Sequence, residues 1–179
     1  VGIAPMVIDV LNMGKQMTHH KNAYSGYPLN DAAHYIQGGY STAVRDYTNM
    51  NVFDRLDTEG GRDLARIVDP FTYRDRLTMP KLIINSTGDQ FFLPDGVKFY
   101  FDYLPGVNRM VYVPNTDHSL GFDSQNLDAL SPLIAFVGTL LPGSEWSIPD
   151  FSWSFEDDGS IRVEAQTLPV AVKVWHALN

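Results

Sequence analysis

An α/β fold with parallel strands and crossover helices, followed by the first strands of an antiparallel β layer, is predicted by three features of this sequence. Two short apolar runs, Lys81-Leu82-Ile83-Ile84-Asn85 and Arg109-Met110-Val111-Tyr112-Val113, read as buried strands. A helical stretch opened by Pro94 separates them, and a strand–helix–strand order implies a parallel pair joined by a right-handed crossover. Past Pro142-Gly143 the apolar residues switch to a period of two, the signature of a half-buried antiparallel strand.

Taken in order, residues 1–10 read as a buried strand interrupted by Pro5. Residues 11–30 are polar and irregular, with Met13, Met17, His19-His20, Tyr24 and Tyr27. Asn30 or Asp31 would cap a short helix running through Ile36 and ended by Gly38-Gly39. A second helical stretch is expected from Ser41 to Met50. A third, around Gly61 to Val68, sets Leu64, Ile67 and Val68 on one face and stops before Pro70. Residues 11–79 thus form a long, mostly helical excursion between strands.

Pro94 and Asp95 suit the first turn of a helix whose apolar face is Val97, Tyr100, Phe101 and Leu104, ended by Pro105-Gly106. Leu127, Leu130, Ile134, Val137 and Leu141 fall at spacings of three and four, which predicts an amphipathic helix; Pro132 implies a kink or a start at Ser131. Phe151, Trp153 and Phe155 alternate with serines, Asp157-Asp158-Gly159 is a hairpin turn, and Ile161, Val163 and Ala165 continue the alternation. Val170, Val172 and Val174 repeat it, so a third strand is expected. The organisation read from these elements is residues 1–142 as one domain, and 149–179 as the beginning of a β-sandwich-like one.

Composition narrows the function. Hydrophobic residues are 44% and charged residues 19% of the 179, as in folded globular chains. Thirteen basic against 21 acidic residues leave a net charge of −8, with no local Lys/Arg cluster, which argues against a nucleic-acid partner. No apolar run approaches the ~20 residues of a membrane span. The absence of cysteine excludes disulfides and thiolate metal sites. No Gly-rich phosphate loop is present and no cofactor is implied.

Asp89 and His118 carry the functional reading. Each follows one of the two strands, 29 residues apart. An acid after one parallel strand and a histidine after the next is how an α/β-hydrolase completes a nucleophile–His–acid triad. The histidine takes the nucleophile's proton, and the acid orients and stabilises the imidazolium. Fold class and site together read as part of an α/β-hydrolase, with 11–79 as its cap. The nucleophile does not obviously lie in this chain, which reads as the C-terminal part of a hydrolase domain cut off upstream, so it is expected before Val1. The intact parent would then cleave an ester or amide, and this chain alone would be inactive. The rival is a non-catalytic secreted binding or signalling protein on the same scaffold, because folds host many functions.

Other residues compete. Asp95 is better explained as a charge at a helix N-terminus, and Asp117 directly precedes His118, where adjacent residues in a tight loop seldom hydrogen-bond through their side chains. Gly39-Tyr40-Ser41-Thr42-Ala43 imitates a nucleophile elbow, yet no apolar strand precedes it, so Ser41 reads as a helix cap. His19, His20 and His34 lack a carboxylate at ligand spacing and are expected to line a pocket or hydrogen-bond within the cap rather than bind zinc. Phe91-Phe92 would wall a pocket beside Asp89 or join the core.

The run from Asp69 to Asp95, with Leu104-Pro-Gly106, Val113-Pro-Asn-Thr-Asp-His-Ser-Leu120 and the opening Val1–Met13, resembles the PhoPQ-activated pathogenicity-related protein family. The resemblance covers roughly residues 1–140, and 149–179 is similar to the start of the β-rich region that follows in that family. It implies an α/β-hydrolase fold, a secreted or periplasmic location, Asp89 as acid, His118 as base, and a nucleophile before Val1. It leaves substrate and oligomeric state open.

Overall fold

A computed structural model describes residues 12–25, 36–37, 39–121 and 128–176. The chain divides into two compact units, residues 1–129 and 130–179. The fold is mixed α/β, with helices, a parallel strand pair and antiparallel pairs.

The first unit opens with helix α1, Met13–Ser25, where the sequence reads as irregular. Two features explain why this helix is hidden from periodicity. Its buried face is built from Gln16, Met17 and His20, two of them polar. Its N-terminus is also capped from a distance: the Asp69 carboxylate accepts the N–H groups of Asn12 at 3.0 Å and Met13 at 2.8 Å. The same carboxylate accepts Phe71 N–H at 2.9 Å, so one buried acid caps two segments.

Ile36–Gln37 (β1) and Tyr40–Ser41 (β2) form a short antiparallel bridge around Gly39, whose φ of 85° favours glycine. The expected helix through Ile36 therefore does not reach that residue, and the rest of it lies outside the described residues, as does the expected strand over 1–10. A 3-10 turn at Thr42–Val44 leads into α2, Arg45–Asn49, where the second helical stretch is expected. Helix α3, Glu59–Val68, starts on Thr58, whose hydroxyl accepts Gly61 N–H. Leu64, Ile67 and Val68 stay exposed on it.

Strands β3 (Lys81–Ser86) and β4 (Asn108–Val113) pair in parallel, with Lys81 opposite Asn108 and Ser86 opposite Val113. Between them the expected α-helix is replaced by 3-10 turns at Pro94–Phe99 and Phe101–Tyr103. Tyr100, at φ −143° and ψ −28°, departs from helical geometry and separates them. The apolar face still buries: Tyr100 and Leu104 pack with Phe71, Ile83, Val97 and Phe101. The Lys81 ammonium donates to the carbonyls of Leu77, Met79 and Pro105, tying together the loops that enter both strands. A second cluster, Met17, Tyr40 and Val44 with Phe53, Leu56, Phe91 and Phe92, holds α1 and the β2 region to the loop after β3.

The second unit contains α4, Leu130–Leu140, and a hairpin of β5 (Phe151–Phe155) and β6 (Ile161–Ala165). Pro132 falls in the first turn of α4, where its missing N–H costs no helical bond. Trp153 faces Val163 and Phe155 faces Ile161 in the hairpin register, as the alternation requires. No strand forms over Val170–Val174. Alternation specifies a face but not a partner, and both β5 and β6 pair only with each other among the described residues.

Candidate functional site

The C-terminal ends of β3 and β4 feed two loops that are bonded together along their length. Thr87 N–H donates to the Val113 carbonyl at 3.1 Å and Gly88 N–H to the Thr116 carbonyl at 3.0 Å. Asn115 N–H returns a bond to the Thr87 hydroxyl at 3.0 Å. Gly88 makes this approach possible, because a Cβ there would stand 2.8 Å from the Thr116 carbonyl oxygen.

The zipped loops bring Asp89 and His118 into contact. His118 Nδ1 lies 3.1 Å from Asp89 Oδ1 and 3.0 Å from Oδ2. A carboxylate only accepts here, so Nδ1 carries the proton and a neutral ring presents its lone pair at Nε2. Asp89 is buried, at 5% exposure, whereas the His118 side chain is 42% exposed. Asp89 Oδ1 also accepts Phe91 N–H at 2.7 Å and Phe92 N–H at 2.8 Å, so the turn it makes and the pair it forms share one oxygen. The Phe91 ring stacks on the His118 ring, with centroids 4.9 Å apart and 21° between planes, and Phe92 meets it edge-on at 5.6 Å.

Beyond His118 the chain reverses through two left-handed residues, Leu120 at φ 57° and Gly121 at φ 81°. For Leu this conformation is strained. Asp117 holds the turn: its Oδ1 accepts the Ser119 hydroxyl at 2.6 Å and Ser119 N–H at 2.9 Å, and these bonds hold its carboxyl below the ordinary range.

The competing acids are engaged elsewhere. Asp95 bonds His19 Nε2 and Lys98 Nζ, each at 2.8 Å. Burial would raise its carboxyl, but these two partners outweigh burial and lower it. Ser41 is fully buried and its hydroxyl accepts Ala43 N–H at 3.1 Å, capping the 3-10 turn. His34 lies outside the described residues.

His20 hydrogen-bonds within residues 11–79, one of the two roles expected of it, and also reaches the loop after β3, which the sequence does not suggest. Its ring is 1% exposed and bridges two main chains, with Nδ1 3.2 Å from the Phe91 carbonyl and Nε2 accepting Ser41 N–H at 3.1 Å. Burial lowers its pKa below the ordinary 6.5, more than the Phe91 bond and the Asp89 charge raise it. Nothing near it in the sequence marks this, since its partners lie 71 and 21 residues away.

Among the described residues no three His, Cys, Asp or Glu side chains group as metal ligands, and no helix is long and apolar enough to cross a membrane.

These features define a mixed α/β protein with a histidine–carboxylate pair on adjoining loops of a parallel strand pair. The model of the PhoPQ-activated pathogenicity-related protein family matches residues 1–179, and the chain belongs to that family. It is similar to autocrine proliferation repressor protein A of Dictyostelium discoideum, at 35% identity over 189 residues. That similarity covers 100% of this chain and 35% of the relative, so the chain spans about a third of the relative's length. No solved structure matches it.

Proposed function

We propose that this chain supplies the acid and base arms of a serine-hydrolase-like protein, with His118 as general base and Asp89 as its orienting acid. The single observation that carries this reading is the two-oxygen contact of a buried Asp89 on Nδ1 of a partly exposed His118. In that arrangement Nε2 can take a proton from a nucleophile hydroxyl. The resulting imidazolium is then stabilised by a carboxylate already held in place by two main-chain N–H donors.

The nucleophile would come from sequence preceding Val1 in a longer protein. Ser41 is an unsuitable candidate because its hydroxyl is buried and engaged as a cap. The frame would be the C-terminal portion of an α/β-hydrolase domain over 1–142, with 11–79 as cap, followed by the start of a β-sandwich-like domain over 149–179. A periplasmic or extracellular location accords with the family. The reaction class is ester or amide hydrolysis.

The test is hydrolysis of a panel of activated esters by the longer protein. Asp89→Asn retains the turn but no longer fixes the His118 tautomer, and is expected to lower kcat by about 10³- to 10⁴-fold. His118→Ala should lower it at least as far. Equal rates in both variants and the parent would refute the assignment.

A second reading has its own support. The similar amoebal protein is named for repressing proliferation. On that reading the longer protein is a non-catalytic secreted signalling or binding protein, and the Asp89–His118 pair only braces two loops. Well-folded longer protein that hydrolyses none of the panel would favour it.

A further inference from the structure

We propose that His20 is a positioning residue for the Asp89–His118 pair, acting through the peptide unit that joins Phe91 to Phe92. The consequence for catalysis rests on the hydrolase reading; the positioning itself does not.

Hydrogen-bond chemistry fixes which nitrogen of His20 does what. Ser41 N–H only donates, so Nε2 accepts; the Phe91 carbonyl only accepts, so Nδ1 donates. His20 is therefore neutral with its proton on Nδ1. Burial, which favours the neutral ring, agrees with this.

The Phe91 carbonyl and the Phe92 N–H belong to one planar peptide group and point in opposite directions. His20 holds the carbonyl end at 3.2 Å, while the N–H end donates to Asp89 Oδ1 at 2.8 Å. Rotating this peptide moves both ends together. The residue that anchors the carbonyl thus sets the direction of a donor to the Asp89 carboxylate, whose own orientation sets His118. Phe91 adds a second route, because its ring stacks on His118. A histidine that merely filled the core would need neither a fixed tautomer nor this peptide.

The test uses the wild-type chain, His20→Leu and His20→Asn, with histidine tautomers and the His118 Nδ1–H proton resonance read by NMR. Asn places an amide N–H where His20 Nδ1–H stands and keeps the bond to Phe91; Leu removes it. We expect wild-type His20 as the Nδ1–H tautomer, a His118 Nδ1–H signal lost to solvent exchange in His20→Leu, and its return in His20→Asn. In the longer protein, fluorophosphonate labelling should slow by about tenfold or more in His20→Leu and recover in His20→Asn.

An Nε2–H tautomer in the wild type overturns the proposal. So does an unchanged His118 signal in folded His20→Leu. If His20→Leu does not fold, His20→Asn decides: a His118 signal missing from that folded variant also overturns it. A His118 signal that follows His20 as expected, with no labelling of any form of the longer protein, upholds the positioning and refutes the hydrolase reading.

Discussion

Replacing Gly88 with Ala asks whether the close approach of the two loops is what holds the pair together. A Cβ at this position would sit 2.8 Å from the Thr116 carbonyl oxygen and 3.6 Å from its carbon. Real Cβ atoms do not approach so closely, and the obstacle is main chain, which cannot swing aside as a side-chain tip can. Relieving the clash must lengthen the Gly88 N–H bond to that same oxygen, now 3.0 Å. Overpacking costs about 1–3 kcal/mol and a weakened hydrogen bond about 1 kcal/mol, so the first unit should lose roughly 2–4 kcal/mol. At a slope of about 1–3 kcal/mol per molar urea, the midpoint falls by about 1 M.

The assay must watch the correct unit. All nine tyrosines lie within residues 1–129 and all three tryptophans within 130–179, so near-ultraviolet tyrosine signal follows the first unit and tryptophan fluorescence the second. The tyrosine transition should move. Gly60→Ala is the matched control. Gly60 stands in α3 with nothing within 4 Å of an added Cβ, so the same change there should stabilise by up to about 1 kcal/mol through helix propensity. Gly88→Ala with a midpoint at or above that of the parent would refute the packing argument, and with it the reason given for where Asp89 and His118 meet.

Two further outcomes are expected. Asp69→Ala strips the acceptor from the N–H groups of Asn12, Met13 and Phe71, and should cost the first unit roughly 2–4 kcal/mol by tyrosine-detected urea melts; an unchanged midpoint would deny the distant cap on α1. Acid should weaken the first unit through His20, whose folded pKa lies below its unfolded 6.5. Between those two values the unfolded chain binds more protons, so stability rises with pH there; it is complete above 6.5 and declines as pH falls through 6.5. His20→Asn should flatten that decline in urea midpoints measured over this window, and a variant as acid-sensitive as the parent would assign the decline to other groups.

The parts of this molecule legible in its sequence are those whose signal is local. The apolar runs at 81–85 and 109–113 and the alternation flanking Asp157-Asp158-Gly159 each encode their own element. Helix α1 was not legible because its cap lies 56 and 57 residues away and its buried face is mostly polar. The 94–104 segment shows the limit of pattern reading: its apolar face is correct, but the break at Tyr100 makes it two 3-10 turns. In the site, the Asp89–His118 pairing was readable from strand order. The role of Phe91 and Phe92 as both donors to Asp89 and walls for His118 was half visible in their position; for His20 a hydrogen bond within residues 11–79 was expected, but not its link to Phe91, because its contacts join three distant stretches of chain.

The most direct measurement is fluorophosphonate labelling of the longer protein, with peptide mapping of the adduct, beside His118→Ala and the 179-residue chain. One labelled serine upstream of Val1 is expected, with no label in the His118→Ala variant and none on the 179-residue chain. A label that survives His118→Ala, or one mapped to Ser41, would contradict the hydrolase reading.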